Sequence, residues 1–542
     1  MFKRLVCAAL ILALAGSLWY VASVTYDPEF AETGEDAPDA VAAEGEEATE
    51  QPVFKDDGSL TIWYSDEALT DYLTSVALSF EQDNRVKVNV VLKDGVQFLE
   101  DINANSLLDA KDRTEALPDL YITSHDNLLK AYLAGLASII QDPDGVVGPE
   151  MYPQTALNAV SCYNHYVAYP LYYETNFFLY NKTYMASIAQ NRIEAESDLA
   201  EGEEATKDLE ENGAPKEEAK EIETEKKDGE EDEGENQDAG SEDTGEEIDE
   251  ADPMGEEDAV ADQEVLDRLA TMIPATIEDI KTFANNYDAP EAVESVFKWD
   301  VSDIFYNYFF VGNYMEVGGD NGDNAAVFNI YNKQSVECLS AYQAMNQFFS
   351  IDPKVDNYDN ILQDFIDGKM VFTVATTDAI AKIHEAQKNG AFNYDYGVST
   401  LPDITSLLKA RGLSVTDVVA INGYSSKQAE ANKFATYLVN YKASDLYMKS
   451  GKVSCCKSVE FEDAEIANIM AEYERSMPLP KMVEASNYWV QLEIAFTKVW
   501  NGGDPDEVLK ELSDTIGAQI EKIRANLPTQ ESFNAGAAVY IQ

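Results

Sequence analysis

Between two apolar runs, VAYPL and FFLY, the chain sets Tyr172, Tyr173, Glu174, Thr175 and Asn176. A carboxylate and an amide can make paired hydrogen bonds to a polar ligand, and a phenol adds a ring face and a hydroxyl. A similar polar group follows two other short apolar runs: Tyr64, Ser65, Asp66 and Glu67 after SLTIW, and Ser124, His125, Asp126 and Asn127 after DLYIT. Three recurrences favour a ligand cleft, although turns are polar in any case. Nothing comparable points to a metal or a nucleophile. His125, His165 and His384 fall in separate segments, and no CxxC spacing suggests zinc. The stretch GGDNGDN, 318–324, superficially resembles a calcium loop, but Gly322 occupies a ligand position and no Glu closes it, so it reads as a hairpin turn.

The elements that must carry these groups alternate. SLTIWY reads as a buried strand, followed by a helix over 66–80 with Leu69, Tyr72, Leu73, Val76 and Phe80 on one face. Val86, Val88 and Val90 give a second strand, DLYIT a third, and 125–136 a second helix. The runs 167–171 and 177–180 read as two further strands. Pro170 lacks a ladder donor, which puts the first at an edge or at a handover to another unit. Later come helices at 277–283 (capped by Thr276), 335–349 and 427–440, strands at 370–375 and from Tyr396 to Pro402, and a long helical region opening at Tyr488 and Trp489. Strand–helix alternation implies a parallel or mixed sheet covered by helices, with ligands beyond the carboxyl ends of its strands.

Composition sets the bounds. The chain has 542 residues and a net charge of −63, which excludes nucleic acid as a partner by repulsion of phosphate. The charge is concentrated. Residues 27–57 carry 12 acids against one lysine, and 194–264 carry 33 acids against five lysines. Both are poor in large apolar residues, so both are expected to be disordered. Lys3 and Arg4 precede an apolar run from Leu5 to Val24, which fits a signal peptide or an uncleaved membrane anchor that exports the rest of the chain. Cys7 lacks the small residues of a lipoprotein cleavage box. Cys162 and Cys338 read as buried thiols. Cys455 and Cys456 read as packing or loop thiols, with a vicinal disulfide as the alternative.

The order of motifs resembles the extracellular solute-binding proteins of ABC sugar importers, the maltodextrin-binding kind. SLTIWY is similar to that family's first strand. LPDLYITSHDNLLKAYLAGL is similar to its next strand and helix, and VAYPLYYETNFFLYNK to its hinge and following strand. IPATIEDI, FIDGKMVFTVATTDAIAKI, NYDYGVSTLP and MPLPKMVEASNYWVQL follow in the family's order. No single motif is specific; the order across nearly the whole globular part carries the resemblance.

The resemblance implies an α/β, two-lobed periplasmic-binding-protein-like (type II) fold with a multi-segment hinge and an interlobe ligand cleft. Lobe one would be 58–169 plus 414–475. Lobe two would be 170–413 plus 476–527, interrupted by an acidic disordered insert at 190–264, with 528–542 as a tail. Residues 1–26 would be the signal or anchor and 27–57 a tether. The resemblance points to Glu67, Asp126, Glu174 and Trp489 as ligand-binding residues, with Tyr64, Asp66 and Tyr173 beside them. At two stacking positions of the family this chain has Thr123 and Asp378, so maltodextrin specificity is not carried over, and Asp378 counts as a further ligand-binding candidate. The implied protein is a monomeric, non-enzymatic, extracytoplasmic binding component without cofactor or metal. It would pass a solute, a sugar by preference, to a membrane permease, with ATP hydrolysed in another protein; this chain has no Walker motif. A polyamine or other cationic solute on the same fold, held by Asp66, Glu67, Asp126 and Glu174, is the first alternative. A secreted glycosidase using two carboxylates is the remote one.

Overall fold

The structure is a computed structural model and describes residues 57–95, 97–109, 112–211 and 256–525. The expected signal or anchor, nearly all of the tether and the tail lie outside these residues. Among the described residues no helix is long and apolar enough to cross a membrane. They form two compact units. The larger comprises the chain up to Tyr180, Ala275–Asn393 and the chain from Gly397; the smaller comprises Asn181–Pro274 and Tyr394–Tyr396.

In the larger unit the strands are β1 (Leu60–Tyr64), β2 (Val88–Leu92), β3 (Leu120–Ser124), the short hairpin β4 (Ser161–Cys162) and β5 (His165–Tyr166), and the long β6 (Ala168–Asn181). They continue with β7 (Ser295–Lys298), the pair β8 (Glu316–Val317) and β9 (Phe328–Asn329) flanking the expected 318–324 turn, β10 (Met370–Thr376), β11 (Tyr396–Ser399), β12 (Leu413–Ile421) and β13 (Met477–Pro478). The main sheet runs β2, β1, β3, β12, β6, β10, β7, with β11 on β6 and β13 on β12. β1 is parallel to β2 and β3, whereas β12 is antiparallel to both β3 and β6. The mixed sheet matches the α/β expectation.

β6 corrects the sequence reading. It is one strand of 14 residues, not two strands with a polar break. Its first half pairs with β12 as far as Thr175↔Ser414, and its second half pairs with β10 from Asn176↔Thr376 onward. The polar run continues as strand because each half has its own partner for its backbone groups. Pro170 is also not at an edge. It lies at a register shift, where Asp417 faces Tyr172 and Val418 faces Pro170, so Leu171 is the extra residue of a bulge that tolerates the missing N–H.

Two apolar cores pack on this sheet. Beside its first half lie Trp63, Tyr121, Leu128, Ala168, Val418 and Ala420. Beside its second half the core is aromatic: Trp299 stacks on Phe297 at 5.0 Å and meets Trp500 edge-on at 5.8 Å, and Tyr342 joins Phe310 and Trp500. Burying each such ring contributes about 1.5–3 kcal/mol. Among the cysteines, Cys162, Cys338, Cys455 and Cys456 are all buried free thiols, so the vicinal pair forms no disulfide.

In the smaller unit, helices Lys182–Glu211 and Glu256–Met272 pack on each other, and Arg268 pairs with Glu196. Tyr184 meets Tyr394 at 5.3 Å, and the Lys182 N–H donates to the Asp395 carbonyl at 2.8 Å. Disorder was expected over 190–264, yet both ends of that stretch are helical. Ala, Glu, Lys and Leu are strong helix formers whatever their net charge, and Met185 and Ala189 are buried. Residues 212–255 lie outside the described part.

Candidate functional site

The ends of β1 and β3 lie beside the middle of β6, which runs on through the polar stretch where the sequence suggested a third strand end. β1 stops at Tyr64, and Asp66 caps the short helix Glu67–Leu69, its Oδ1 accepting from the Ala68 N–H at 3.1 Å. β3 stops at Ser124, whose hydroxyl donates to Asp126 Oδ1 at 2.5 Å. Register places Asp417 of β12 directly across from both Ser124 and Tyr172. Strand alternation then puts Glu174 on the same face as Tyr172. Asp66, Asp126 and Glu174 are each close enough to Asp417 to raise its pKa, so the four carboxylates form one group.

A lysine lies among them. Segment 453–455 runs antiparallel to β6: Tyr172 bridges Ser454, the Tyr173 N–H donates to the Val453 carbonyl, and the Cys455 N–H donates to the Leu171 carbonyl. That register sets residue 452 opposite residue 174. Lys452 Nζ accordingly lies 2.9 Å from Asp66 Oδ2 and 3.4 Å from Glu174 Oε1, with the Tyr172 ring centroid 5.1 Å away. Burial alone would lower the Lys452 pKa, but Glu174, Asp66 and Asp417 outweigh it and hold the ammonium above its usual value.

Asp417 behaves in the opposite sense. Burial, then the Glu174 charge, pushes its carboxyl up to about 8, with Lys452 pulling the other way and Asp126 and Asp66 adding to the rise. His125 is a structural part of this floor. Its Nδ1 accepts from the Thr416 N–H at 3.0 Å, which leaves Nε2 to donate to the Leu479 carbonyl at 3.0 Å. Burial and the nearby Lys481 lower its pKa to about 4, so it stays neutral and pins β3 to β12 and to the chain after β13.

A second polar group lies further along β6. Thr376, opposite Asn176, ends β10, and Asp378 opens helix Asp378–Lys388. Asp378 accepts from the Tyr358 hydroxyl at 2.7 Å and from Thr376, and pairs with Lys382 at 2.8 Å. Burial raises its pKa, but hydrogen bonds from Lys382, Thr376 and Tyr358 outweigh this and hold the carboxyl below its ordinary value. Tyr358 stacks on Tyr306, centroids 4.8 Å apart and planes 24° apart. Asn176 donates to the Phe305 carbonyl, tying this aromatic segment to β6.

The remaining sequence candidates divide. Glu67 is exposed beside Asp66. Tyr64 is buried, its hydroxyl sharing a hydrogen bond with Thr70 Oγ1 at 2.8 Å. Tyr173 is corrected: it is 1% exposed, on the face opposite Glu174, and stacks on Tyr473 at 3.9 Å. Parity along a strand allows only one of two adjacent tyrosines to share the Glu174 face, and that one is Tyr172. Trp489 is half-buried, edge-on to Tyr308 at 5.4 Å and to Tyr488 at 4.9 Å. Sequence reasoning missed Lys452, Asp417 and Tyr172. Tyr172 follows from i, i+2 parity with Glu174. Asp417 is the one acid in the apolar run SVTDVVAI. Lys452 has no local signal.

A mixed α/β sheet with carboxylates at its strand ends, spanned by one strand that changes partner midway, is the type II periplasmic-binding-protein architecture. Comparison with solved structures gives the same fold. An extracellular solute-binding protein from Staphylococcus aureus, in complex with maltose, aligns at a TM-score of 0.61 with 18% identity over 87% of this chain and 100% of that one. A cyclo/maltodextrin-binding protein complexed with maltotetraose aligns at 0.60 with 16% identity, over 86% and 99%. A maltose-binding periplasmic protein from Listeria monocytogenes, in complex with maltose, aligns at 0.58 with 19% identity, over 86% and 98%. No family model matches the sequence, and no curated protein does.

Proposed function

We propose that the protein is the extracytoplasmic substrate-binding component of an ABC importer, which captures a carbohydrate and delivers it to a membrane permease. The observation that carries this reading is the convergence of Asp66, Asp126 and Glu174, from β1, β3 and β6, on the side of the sheet where an α/β fold binds its ligand. Carboxylates are acceptors for sugar hydroxyls, and the half-buried Trp489 supplies a ring face for C–H surfaces. The three solved structures compared above hold maltose or maltotetraose. Thr123 and Asp378 stand where stacking rings were expected, which suits a sugar smaller than, or shaped differently from, maltodextrin.

In this reading lobe one is 58–169 with 414–475 and lobe two is 170–413 with 476–527. Three chain crossings, along β6 over 170–175, at 413–414 and at 475–477, are the hinge. The Thr175 hydroxyl donates to the Leu413 carbonyl at 3.0 Å, and the Ser476 hydroxyl donates to Ser414 Oγ at 2.7 Å. A ligand that prefers the closed form shifts the population toward it, and the closed form docks on the permease. The protein performs no chemistry on its ligand and acts as a monomer. Residues 1–26 export it and, if uncleaved, hold it at the outer face of the cell membrane.

A second reading keeps the fold and takes a cationic solute. It is favoured by the excess of carboxylates in that group, where Asp66, Asp126 and Glu174, with Asp417 beside them, outnumber Lys452. A thermal-shift screen of mono- and disaccharides against spermidine separates the two, because a cleft ligand raises the melting point with concentration. Carbohydrate binding predicts stabilisation by at least one saccharide. Stabilisation by spermidine and by no saccharide would overturn it.

A further inference from the structure

Lys452 sits where an external ammonium would bind. Two carboxylates at 2.9 and 3.4 Å and an aromatic face at 5.1 Å are the recognition set for a primary amine. Its place is not an accident of side-chain reach, because the backbone pairing of 453–455 with 171–173 sets residue 452 opposite Glu174. The Lys452 side chain is only 20% exposed, less than Asp66 or Glu174 at 35% and 42%, so water reaches the acids more readily than the ammonium they hold.

We propose that Lys452 is a tethered occupant that sets the ligand class of the site. It fills the ammonium subsite from within and offsets one of the two negative charges of Asp66 and Glu174. It thereby turns a site that would otherwise take amines into one for neutral, hydroxyl-bearing solutes. The inference rests on reading this cluster as the solute site. A tethered group on a short chain competes at an effective concentration in the millimolar range or above. An incoming amine must displace it and leave two cations sharing the same carboxylates. A neutral polyol meets no such penalty: it accepts from the ammonium and donates to the Glu174 carboxylate, which is 42% exposed.

The test is thermal melting of the full chain with ethylammonium chloride or putrescine, against sodium chloride of equal ionic strength. The parent is compared with Lys452→Ala, Lys452→Gln and Lys452→Arg. The parent and the Arg variant are expected to respond to amine no more than to sodium chloride up to about 10 mM, the scale of the tether's effective concentration. The Ala and Gln variants gain saturable stabilisation, with half-saturation at least about tenfold lower than any response of the parent. Adding Glu174→Gln abolishes the gain. Lys452→Gln keeps most of the stem over Tyr172, so it serves if the Ala variant does not fold. A parent as amine-responsive as its variants overturns the proposal, and so do folded charge-free variants that remain blind to amines. The two readings fail separately. A parent that responds to no saccharide sinks the carbohydrate reading, whereas a saccharide-responsive parent with amine-blind variants sinks only the role of the lysine.

Discussion

The two faces of β6 at residues 172–175 differ in what they meet. On one face Tyr172 and Glu174 meet Lys452, Asp417 and Asp66, which come from distant parts of the chain and are partly open to water. On the other, Tyr173 and Thr175 are sealed: Tyr173 stacks on Tyr473, whose hydroxyl shares a hydrogen bond with Thr416 at 2.7 Å. The charged face gains little stability from its ion pairs, since exposed pairs contribute about 0–1 kcal/mol. The sealed face fixes the strand, and the rigid strand presents the charged one. Removing a residue from the sealed face should therefore cost folding, and removing one from the charged face should cost binding.

The largest expected effect is on the sealed face. Tyr173→Ala leaves a cavity against Tyr473 and should destabilise the protein by about 3–5 kcal/mol in chemical denaturation. Ligand affinity of the folded fraction should change far less. An equal loss of affinity would erase the division between the faces.

Next is the pH dependence of the charged face. With its carboxyl raised from 3.8 to about 8, Asp417 binds its proton more tightly in the folded state than in the unfolded one. Stability is therefore full below pH 4 and falls as pH rises through about 8. Asp417→Asn should remove this slope. It should gain about 1–3 kcal/mol over the parent at pH 8 relative to pH 4, less than the full shift because water reaches the group. Buried Glu472, whose carboxyl burial pushes up to about 7, leaves a second component of the same sign in the variant. A parent whose stability rose across this window would contradict the electrostatics of the cluster.

Glu174→Gln keeps the shape and removes the charge. Hydrogen bonds to charged groups contribute about 1.5–3 kcal/mol, so calorimetry should record affinity for the cognate saccharide weaker by roughly 10- to 100-fold. Its melting point should stay close to that of the parent. A large loss of stability without loss of affinity would place Glu174 in the scaffold instead of the site.

The smallest effect is expected of residues 212–255. Replacing 212–255 with a short flexible linker between the two packed helices should change stability by less than about 0.5 kcal/mol and leave affinity unaltered, because loop-closure entropy varies slowly with length. A larger change in either would give that segment a role in the site.

Much of this comparison could be read in the sequence, and the gaps have physical causes. β1, β3 and β10 are short apolar runs, and the helix cap at Thr276 was local enough to find. β6 was split in two because its continuity depends on β12 and β10, distant strands that supply partners for its polar middle and a bulge for Pro170. Asp66, Asp126 and Glu174 could be found because each closes or continues an apolar run. Tyr173 was chosen over Tyr172 although spacing from Glu174 favours the latter. Lys452 pairs with Glu174 across 278 residues, through a register that no local pattern encodes.

A ligand-bound crystal structure tests the central claim most directly. The account predicts a saccharide with hydroxyls within about 3.2 Å of the Asp126 and Glu174 carboxylates and with Lys452 still paired to Asp66. A ligand seated elsewhere, such as the cavity lined by Tyr163, Asn164, Asp320 and Asp323, would contradict it, as would an amine in place of Lys452.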